Sequence, residues 1–389
     1  MPELESSLHL FRPPAYRARS GGAPWRSGFL DAASDGTSPK TWDAAAVLAM
    51  VSFGYVCGNR TLLAEIHRRP WLSRIVAGGD AALEAIPPHG FLNLRPEEAA
   101  DELYRRLEAE ALEVCRNRKR IYLLLSGGLD SRVAGAVLRS LHRKGALVSA
   151  PVCVTWGIPD CRDVVYGRAG AEALGFEWVH AELTPEHVMQ NIADNAPELG
   201  ALVSPVHLHA MQWFRQVPAD SLVLAASYGD SVGRAEFSGK HVLELDPLEP
   251  VNHFGLVRED LLVDAAAGIA ADLKRLAERG PAQPAHILRE RERQGHYMRN
   301  LMGLAMSAVN RYCDVYQLFT HPAVYGYTWL IHPSLRGDEI YAALLERHAP
   351  DLARLPWARY GRALRGRTAG RVAGLKRKCH DYPAWIGNA

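Results

Sequence analysis

At 389 residues, 48% of them hydrophobic and 23% charged, the chain is long enough to bury a sizeable core in one large domain or two unequal ones. Its formal net charge of +2 excludes a globally basic nucleic-acid or membrane binder, no apolar run reaches membrane-spanning length, and residues 1–20 lack the apolar centre of a signal peptide. The six cysteines are scattered without a CxxC pair, so a reduced, cytoplasmic setting is expected ahead of a disulfide or zinc framework.

Residues 1–40 are rich in Ser, Gly, Pro and Arg with little periodicity, and read as a loosely ordered, surface-draped arm. Apolar residues return at Thr41. The pattern predicts a short helix over 42–53 and, after Gly54-Tyr55-Val56-Cys57-Gly58-Asn59-Arg60-Thr61-Leu62, a second over 62–68. Pro87-Pro88-His89-Gly90 is a turn-rich boundary. Arg95-Pro96-Glu97-Glu98 then opens a helix to about Asn117, with proline and acids in its first turn.

The central stretch is 121–138, IYLLLSGGLDSRVAGAVL. A buried strand reaching Leu124 and Leu125 empties into Ser126-Gly127-Gly128-Leu129-Asp130-Ser131, and a segment of helical period follows at once. Such a junction favours anions. Two glycines let main-chain N–H groups approach an oxyanion without a Cβ in the way, and the unpaired N–H groups of the next helix add to the attraction. Ser126 and Ser131 add hydroxyl donors. Asp130 fits a phosphate cradle only with a cation between, and reads as a Mg²⁺ ligand, because Mg²⁺ is held by one or two carboxylates plus phosphate oxygens. The loop is not a Walker A motif, since it lacks GxxxxGK[ST].

Beyond it the pattern alternates: strand 147–156, helix 163–174, strand 178–182, helix 185–195, strand 221–226. This implies βαβ crossovers and a parallel sheet whose ligands lie beyond the carboxyl ends of the strands, so the 126–131 turn and the turn after Val154 and Thr155 should share one rim. His207 and His209 have no third ligand nearby and read as surface or capping residues. The strand over 221–226 ends in Ser227-Tyr228-Gly229-Asp230-Ser231-Val232-Gly233. Helices are predicted over 260–280, 287–309 and 339–348, with Met298, Met302 and Met306 forming a packing stripe. The stretch 354–378 carries nine Arg and Lys and no acid, and reads first as a solvated tail; nucleic-acid binding is disfavoured because aromatic residues are not interleaved.

At SGGLDS the sequence resembles the pyrophosphate loop of the N-type ATP pyrophosphatases, and with Leu129 and Ser131-Arg132-Val133 it looks most like their asparagine synthetase branch. The resemblance covers roughly 53–360. It implies an α/β fold with a parallel sheet of adenine-nucleotide α-hydrolase-like, Rossmann-like type and a helical C-terminal part. It also implies a truncated, glutaminase-remnant-like region over 1–90 and an ATP-binding synthetase domain over 91–389. Glutamine hydrolysis is expected to be lost, because that chemistry needs an N-terminal cysteine whereas here position 2 is Pro2 and no cysteine precedes Cys57.

By resemblance, ATP is held by Leu124, Ser126, Gly127, Gly128, Leu129, Asp130, Ser131, Val154, Thr155, Ser227 and Gly229. Asp130 and Asp230 act as paired Mg²⁺ ligands and catalytic carboxylates. Arg359 and Lys376 are the nominees for a late cation on the pyrophosphate. The segment from Leu318 to Pro333 is similar to the family's substrate-side segment but has Thr320 or His321 where an aspartate belongs, which counts against aspartate as substrate; Tyr312 and His321 lie near that side. The implied activity is AMP-forming activation of a carboxylate substrate, then amide formation with ammonia or an amine donor. A β-lactam-forming or peptide-cyclising enzyme, a tRNA-thiolating enzyme and a non-catalytic nucleotide-binding remnant are the rival readings, and a homodimer stays open. No membrane partner is expected.

Overall fold

The computed structural model describes residues 8–19, 23–34, 40–235, 248–361 and 363 of the 389. It divides into two compact units. One comprises the described residues of Met1–His89, Met189–Leu208 and Phe237–Arg311, the other those of Gly90–Val188, His209–Glu236 and Tyr312–Ala389. Among the described residues no helix is long and apolar enough to cross a membrane.

The second unit is an α/β layer structure. Its helix α1 (Pro96–Cys115) starts as the sequence predicts: Pro96 sits in the first turn and the Arg95 N–H donates to Glu98 Oε2 at 3.1 Å. Ala99, Leu103, Leu107 and Ala111, spaced four apart, form its buried stripe. There follow β1 (Ile121–Leu124), α2 (Leu129–Arg143), β2 (Val152–Gly157), α3 (Arg162–Leu174), β3 (Glu177–Glu182), β4 (Leu222–Ala225) and β5 (Asp314–Gln317). The strands form one sheet in the order β3-β2-β1-β4-β5, with every pair parallel. β1 and β4 are buried at all four positions, as central strands of a sheet covered on both faces must be.

From β1 the chain winds outward through β2 to β3, then returns to the other side of β1 at β4 and β5. The strand order therefore reverses between β1 and β4, the position at which open α/β sheets leave a crevice beyond the carboxyl ends of their strands. Helices α4 (Pro322–Leu330) and α5 (Asp338–His348) and the short turn Pro350–Ala353 make up the helical C-terminal part.

Two local expectations differ in this unit. The second strand begins at Val152 and not at 147, because Pro151 immediately before it supplies no ladder N–H. The edge strand β5 was not anticipated, since DVYQ is short and ends in a polar residue. Cys57, Cys115, Cys153 and Cys313 are free and buried.

In the first unit, helix Ala44–Phe53 packs with helix Glu259–Ala277 through Ala45, Leu48, Ala49, Ala265 and Ile269. Asp43 caps the former by accepting the Ala46 N–H at 3.0 Å. The stretch expected as one helix over 287–309 is α-helical over Ala285–Glu292 and Gly303–Ser307, with a π-helical section, Arg293–Met302, between them.

Two expectations fail here. The stretch read as a draped arm contains Leu10, Phe11 and Tyr16, all buried, and a strand, Tyr16–Ala18, paired antiparallel with Ile66–Arg68. That second strand also replaces the helix expected over 62–68. Thr61 Oγ1 lies 2.9 Å from the carbonyl oxygens of both Leu63 and Ile66 and accepts the Leu63 N–H, a local turn that competes with helical bonding.

Candidate functional site

The loops that leave β1 and β4 at the switch point meet. An ideal Cβ on Gly229 would lie 2.7 Å from both Cβ and Oδ1 of Asp130, so the second loop approaches the first to a distance only glycine permits. Asp230 follows directly, and its Oδ1 accepts the Ser231 N–H at 2.6 Å. The second loop is itself held from behind. Tyr341 Oη donates to the Gly229 carbonyl at 2.9 Å, and the Ser227 N–H donates to Oε1 of the fully buried Gln317 at 3.0 Å.

Between the loops sits a residue that sequence reasoning did not find. Arg234 presents Nε to Asp130 Oδ1 at 3.2 Å and Nη2 to Asp130 Oδ2 at 3.1 Å, while its Nη1 reaches Asp338 Oδ1 at 2.8 Å. Its guanidinium lies over the rings of Tyr341 and Trp357 at 5.6 and 5.7 Å. Burial works against the charge of Arg234, yet the carboxylates of Asp130 and Asp230 hold its pKa above the ordinary value. Burial, with Asp130 close by, likewise raises the Tyr341 phenol well above its usual range, so it stays a donor. The signal available in the sequence was an arginine four residues after Asp230, at the end of the altered second loop.

The first loop is more tied down than expected. Neither Gly127 nor Gly128 has a positive φ, and Gly128 is ordinary extended backbone (φ −79°, ψ 164°). Gly127 is needed for close approach instead, since a Cβ there would lie 2.7 Å from the Ala358 Cβ. The Gly127 carbonyl accepts from the Ala358 N–H at 3.0 Å and from Arg132 Nη2 at 3.1 Å. Arg132 is completely buried, and it also donates to the carbonyls of Leu352, Leu355 and Pro356, so it clamps the loop to the segment after α5.

The glycine amides are likewise engaged: Gly127 N–H donates to Asp163 Oδ1 and Gly128 N–H to Ser126 Oγ, both at 3.1 Å. An anion entering here would have to displace those acceptors. Ser126, Gly128, Asp130, Ser227 and Asp230 remain partly exposed, whereas Leu124, Gly127, Leu129, Ser131 and Gly229 are buried. The Ser131 hydroxyl accepts the Ser126 N–H at 3.1 Å.

The other nominated residues divide. Val154 and Thr155 are buried in β2, and Thr155 Oγ1 donates to the Leu125 carbonyl at 2.6 Å and accepts Trp178 Nε1–H at 3.0 Å, so its hydroxyl holds the sheet together and is turned away from the rim. Arg359 lies over the rings of Trp357 and Tyr360 at 5.8 and 5.6 Å. Lys376 falls outside the described residues. Tyr312 precedes β5 and therefore stands at the amino-end rim, opposite the two loops.

His321 does follow the carboxyl end of β5, as the N-cap of α4. The segment before it is organised by a second residue the sequence did not flag. Glu110 is buried and accepts the N–H groups of Phe319, Thr320 and His321 at 3.1, 3.1 and 2.9 Å and Tyr316 Oη–H at 2.8 Å. Burial pushes its carboxyl up to about 7 against the pull of those donors.

Fold and loop placement together define a doubly wound α/β chain with paired loops at its switch point. No protein-family model and no curated protein matches the sequence. Among solved structures the chain is similar to NMN synthetase from Francisella tularensis, at 14% identity over 57% of this chain and 93% of that one, with a TM-score of 0.24. A likeness that slight adds nothing to the fold, which rests on the strand order.

Proposed function

We propose that the second unit binds ATP at the switch point and activates a carboxylate as its adenylate, which ammonia or an amine then converts to an amide with release of AMP. The observation that carries this reading is the meeting of SGGLDS with the Gly229-Asp230 loop at the carboxyl ends of adjacent central strands. The sequence resemblance to the asparagine synthetase branch supplies the reaction class. In this reading the first-turn N–H groups of α2 and the exposed part of Ser126 face the triphosphate. Catalysis is positioning and electrostatic stabilisation, with no side-chain nucleophile required.

Among the described residues no group of three or more His, Cys, Asp or Glu is arranged to hold a metal ion. The residues fit Mg²⁺ in a narrower way. Asp130, Asp230 and Asp338 are three carboxylates around one guanidinium, an acidic cluster that a nucleotide could approach only together with cations. Asp130 and Asp230 would hold the ion, the phosphate oxygens completing its shell, and it would supply charge neutralisation of the leaving pyrophosphate.

The substrate-side segment favours an acyl donor other than free aspartate. The Thr320 hydroxyl donates to the Gln317 carbonyl, and the buried Glu110 carboxylate behind it is taken up by the N–H groups of Phe319, Thr320 and His321, so neither replaces an aspartate free to pair with a substrate ammonium. A peptide-cyclising or β-lactam-forming role uses the same activation with an internal amine. ATP–pyrophosphate exchange measured over a panel of amino acids and peptides tests the proposal: exchange stimulated by a carboxylate supports it. Stimulation by tRNA alone would point to base modification, and absence of any ATP binding to a non-catalytic remnant.

A further inference from the structure

The buried carboxyl of Glu110 organises a turn to which the proposed reaction gives no role. Glu110 belongs to α1, is 2% exposed, and gathers the N–H groups of three successive residues, Phe319, Thr320 and His321, together with Tyr316 Oη–H. Its Oε2 takes the Phe319 N–H alone, while Oε1 takes the other three donors. Within that turn Phe319 has a φ of +75°, a left-handed conformation that a bulky residue keeps only where its surroundings enforce it. Three N–H groups converging on one buried carboxyl supply that enforcement.

The turn is joined to the second loop of the candidate site in two ways. Phe319 is fully buried, and its ring stacks on that of Tyr341 with centroids 5.9 Å apart and planes inclined by 28°. Tyr341 Oη donates to the Gly229 carbonyl, and a Cβ on Gly233 would overlap the same hydroxyl, so the loop is wrapped closely around one phenol. The Arg234 guanidinium that pairs with Asp130 also lies over this ring. The other link runs from the Thr320 hydroxyl to the Gln317 carbonyl, while Gln317 Oε1 accepts the Ser227 N–H at the start of the loop.

Contacts of this kind pass on a displacement, because each partner is closely packed and has no room to give. We infer that Glu110 is a positioning residue: by fixing Phe319 it sets Tyr341, and through Tyr341 the place of Gly229 and Asp230 beside Asp130. That this placement serves catalysis rests on the proposed function; that Glu110 controls the placement does not.

Hydrogen–deuterium exchange of the full chain, read by mass spectrometry without nucleotide, tests the inference. In Glu110→Gln, an amide oxygen that keeps the three donors of Oε1 leaves the amide nitrogen facing the Phe319 N–H, donor against donor. Deuterium uptake should then quicken about tenfold over 318–321 and also over 226–234, with 152–157 and 177–182 unchanged. Phe319→Leu, which keeps the N–H on Glu110 but removes the ring, should loosen 226–234 and leave 318–321 protected. In Tyr341→Phe, which loses the bond to Gly229, adding Glu110→Gln should loosen 226–234 little further. Where a carboxylate stimulates pyrophosphate exchange in the wild type, Glu110→Gln should lower kcat about tenfold, with the KM for ATP changed less. Absence of pyrophosphate exchange in the wild type would count against the proposed function and leave the deuterium uptake of 226–234 to decide the role of Glu110. Wild-type protection over 226–234 in both single variants, an undiminished added effect in Tyr341→Phe, or loosening spread equally over 152–157 and 177–182 would overturn the inference.

Discussion

Asp130 and Arg234 share a two-pronged ion pair, Nε to Oδ1 at 3.2 Å and Nη2 to Oδ2 at 3.1 Å, at the point where the loops of β1 and β4 meet. A cation already occupies the carboxylate that the SGGLDS resemblance assigns to Mg²⁺. Any divalent ion must compete with that guanidinium, so Arg234→Met should bind Mn²⁺ about tenfold more tightly than the wild type in the absence of nucleotide. Electron paramagnetic resonance titration of free Mn²⁺ reads this directly. Equal affinity in the two proteins would mean that Arg234 and the metal do not share Asp130.

Gly229→Ala should cut adenylation at least about tenfold while the fold persists, because the added carbon would lie 2.7 Å from the Cβ of Asp130 and push the two loops apart. Pyrophosphate exchange beside a far-ultraviolet dichroism spectrum checks it.

Arg132→Met tests the clamp between the first loop and the segment after α5. The guanidinium donates to the carbonyls of Gly127, Leu352, Leu355 and Pro356, and burial lowers its pKa to about 10 without detaching its proton at neutral pH. Removing it takes the donor from the partly buried Leu355 and Pro356 carbonyls, while Gly127 keeps the Ala358 N–H and Leu352 the Leu355 N–H, at a cost of about 1–3 kcal/mol in unfolding free energy measured by urea. An unchanged midpoint would show that the clamp is not needed.

Two buried groups should tilt the pH dependence of stability in opposite directions. Burial raises Glu110 from 4.5 to about 7, so its contribution is fully present below pH 4.5 and is lost as pH rises through 7, a change of about 3 kcal/mol. Glu110→Gln should flatten that slope.

His296 is lowered from 6.5 to about 3, by burial first and then by Arg299, and its Nδ1 accepts the Gly58 N–H at 3.0 Å. Its contribution is therefore present above pH 6.5 and lost as pH falls toward 3. His296→Asn, which keeps an acceptor near the Nδ1 position, should relieve the acid side of the profile. Urea midpoints between pH 4 and 8 measure both; slopes identical to the wild type in either variant would contradict that assignment.

Much of the sheet was legible because its strands are short apolar runs bounded by turns and alternate with helices of clear period. The 121–125 run and the 221–226 run became β1 and β4 almost unchanged. What escaped depends on side chains that meet across long sequence separations. Arg234 reaches Asp130 and Asp338, each 104 residues away, and Glu110 organises residues 319–321 from a helix two hundred residues earlier; neither distance leaves a local pattern. Thr155 misled for the complementary reason, since a threonine at a strand end looks the same whether its hydroxyl faces a ligand or, as here, the Leu125 carbonyl. The 1–40 stretch was misread because Leu10, Phe11 and Tyr16 are too sparse to form a period although each is buried.

The most direct test of the ATP site is a calorimetric titration of the full chain with Mg-ATP, repeated with Asp130→Asn. One saturable site is expected in the wild type, weakened at least about tenfold in the variant with its dichroism spectrum unchanged. No detectable ATP binding, or equal affinity in both proteins, would contradict the assignment of the SGGLDS turn as the nucleotide's seat.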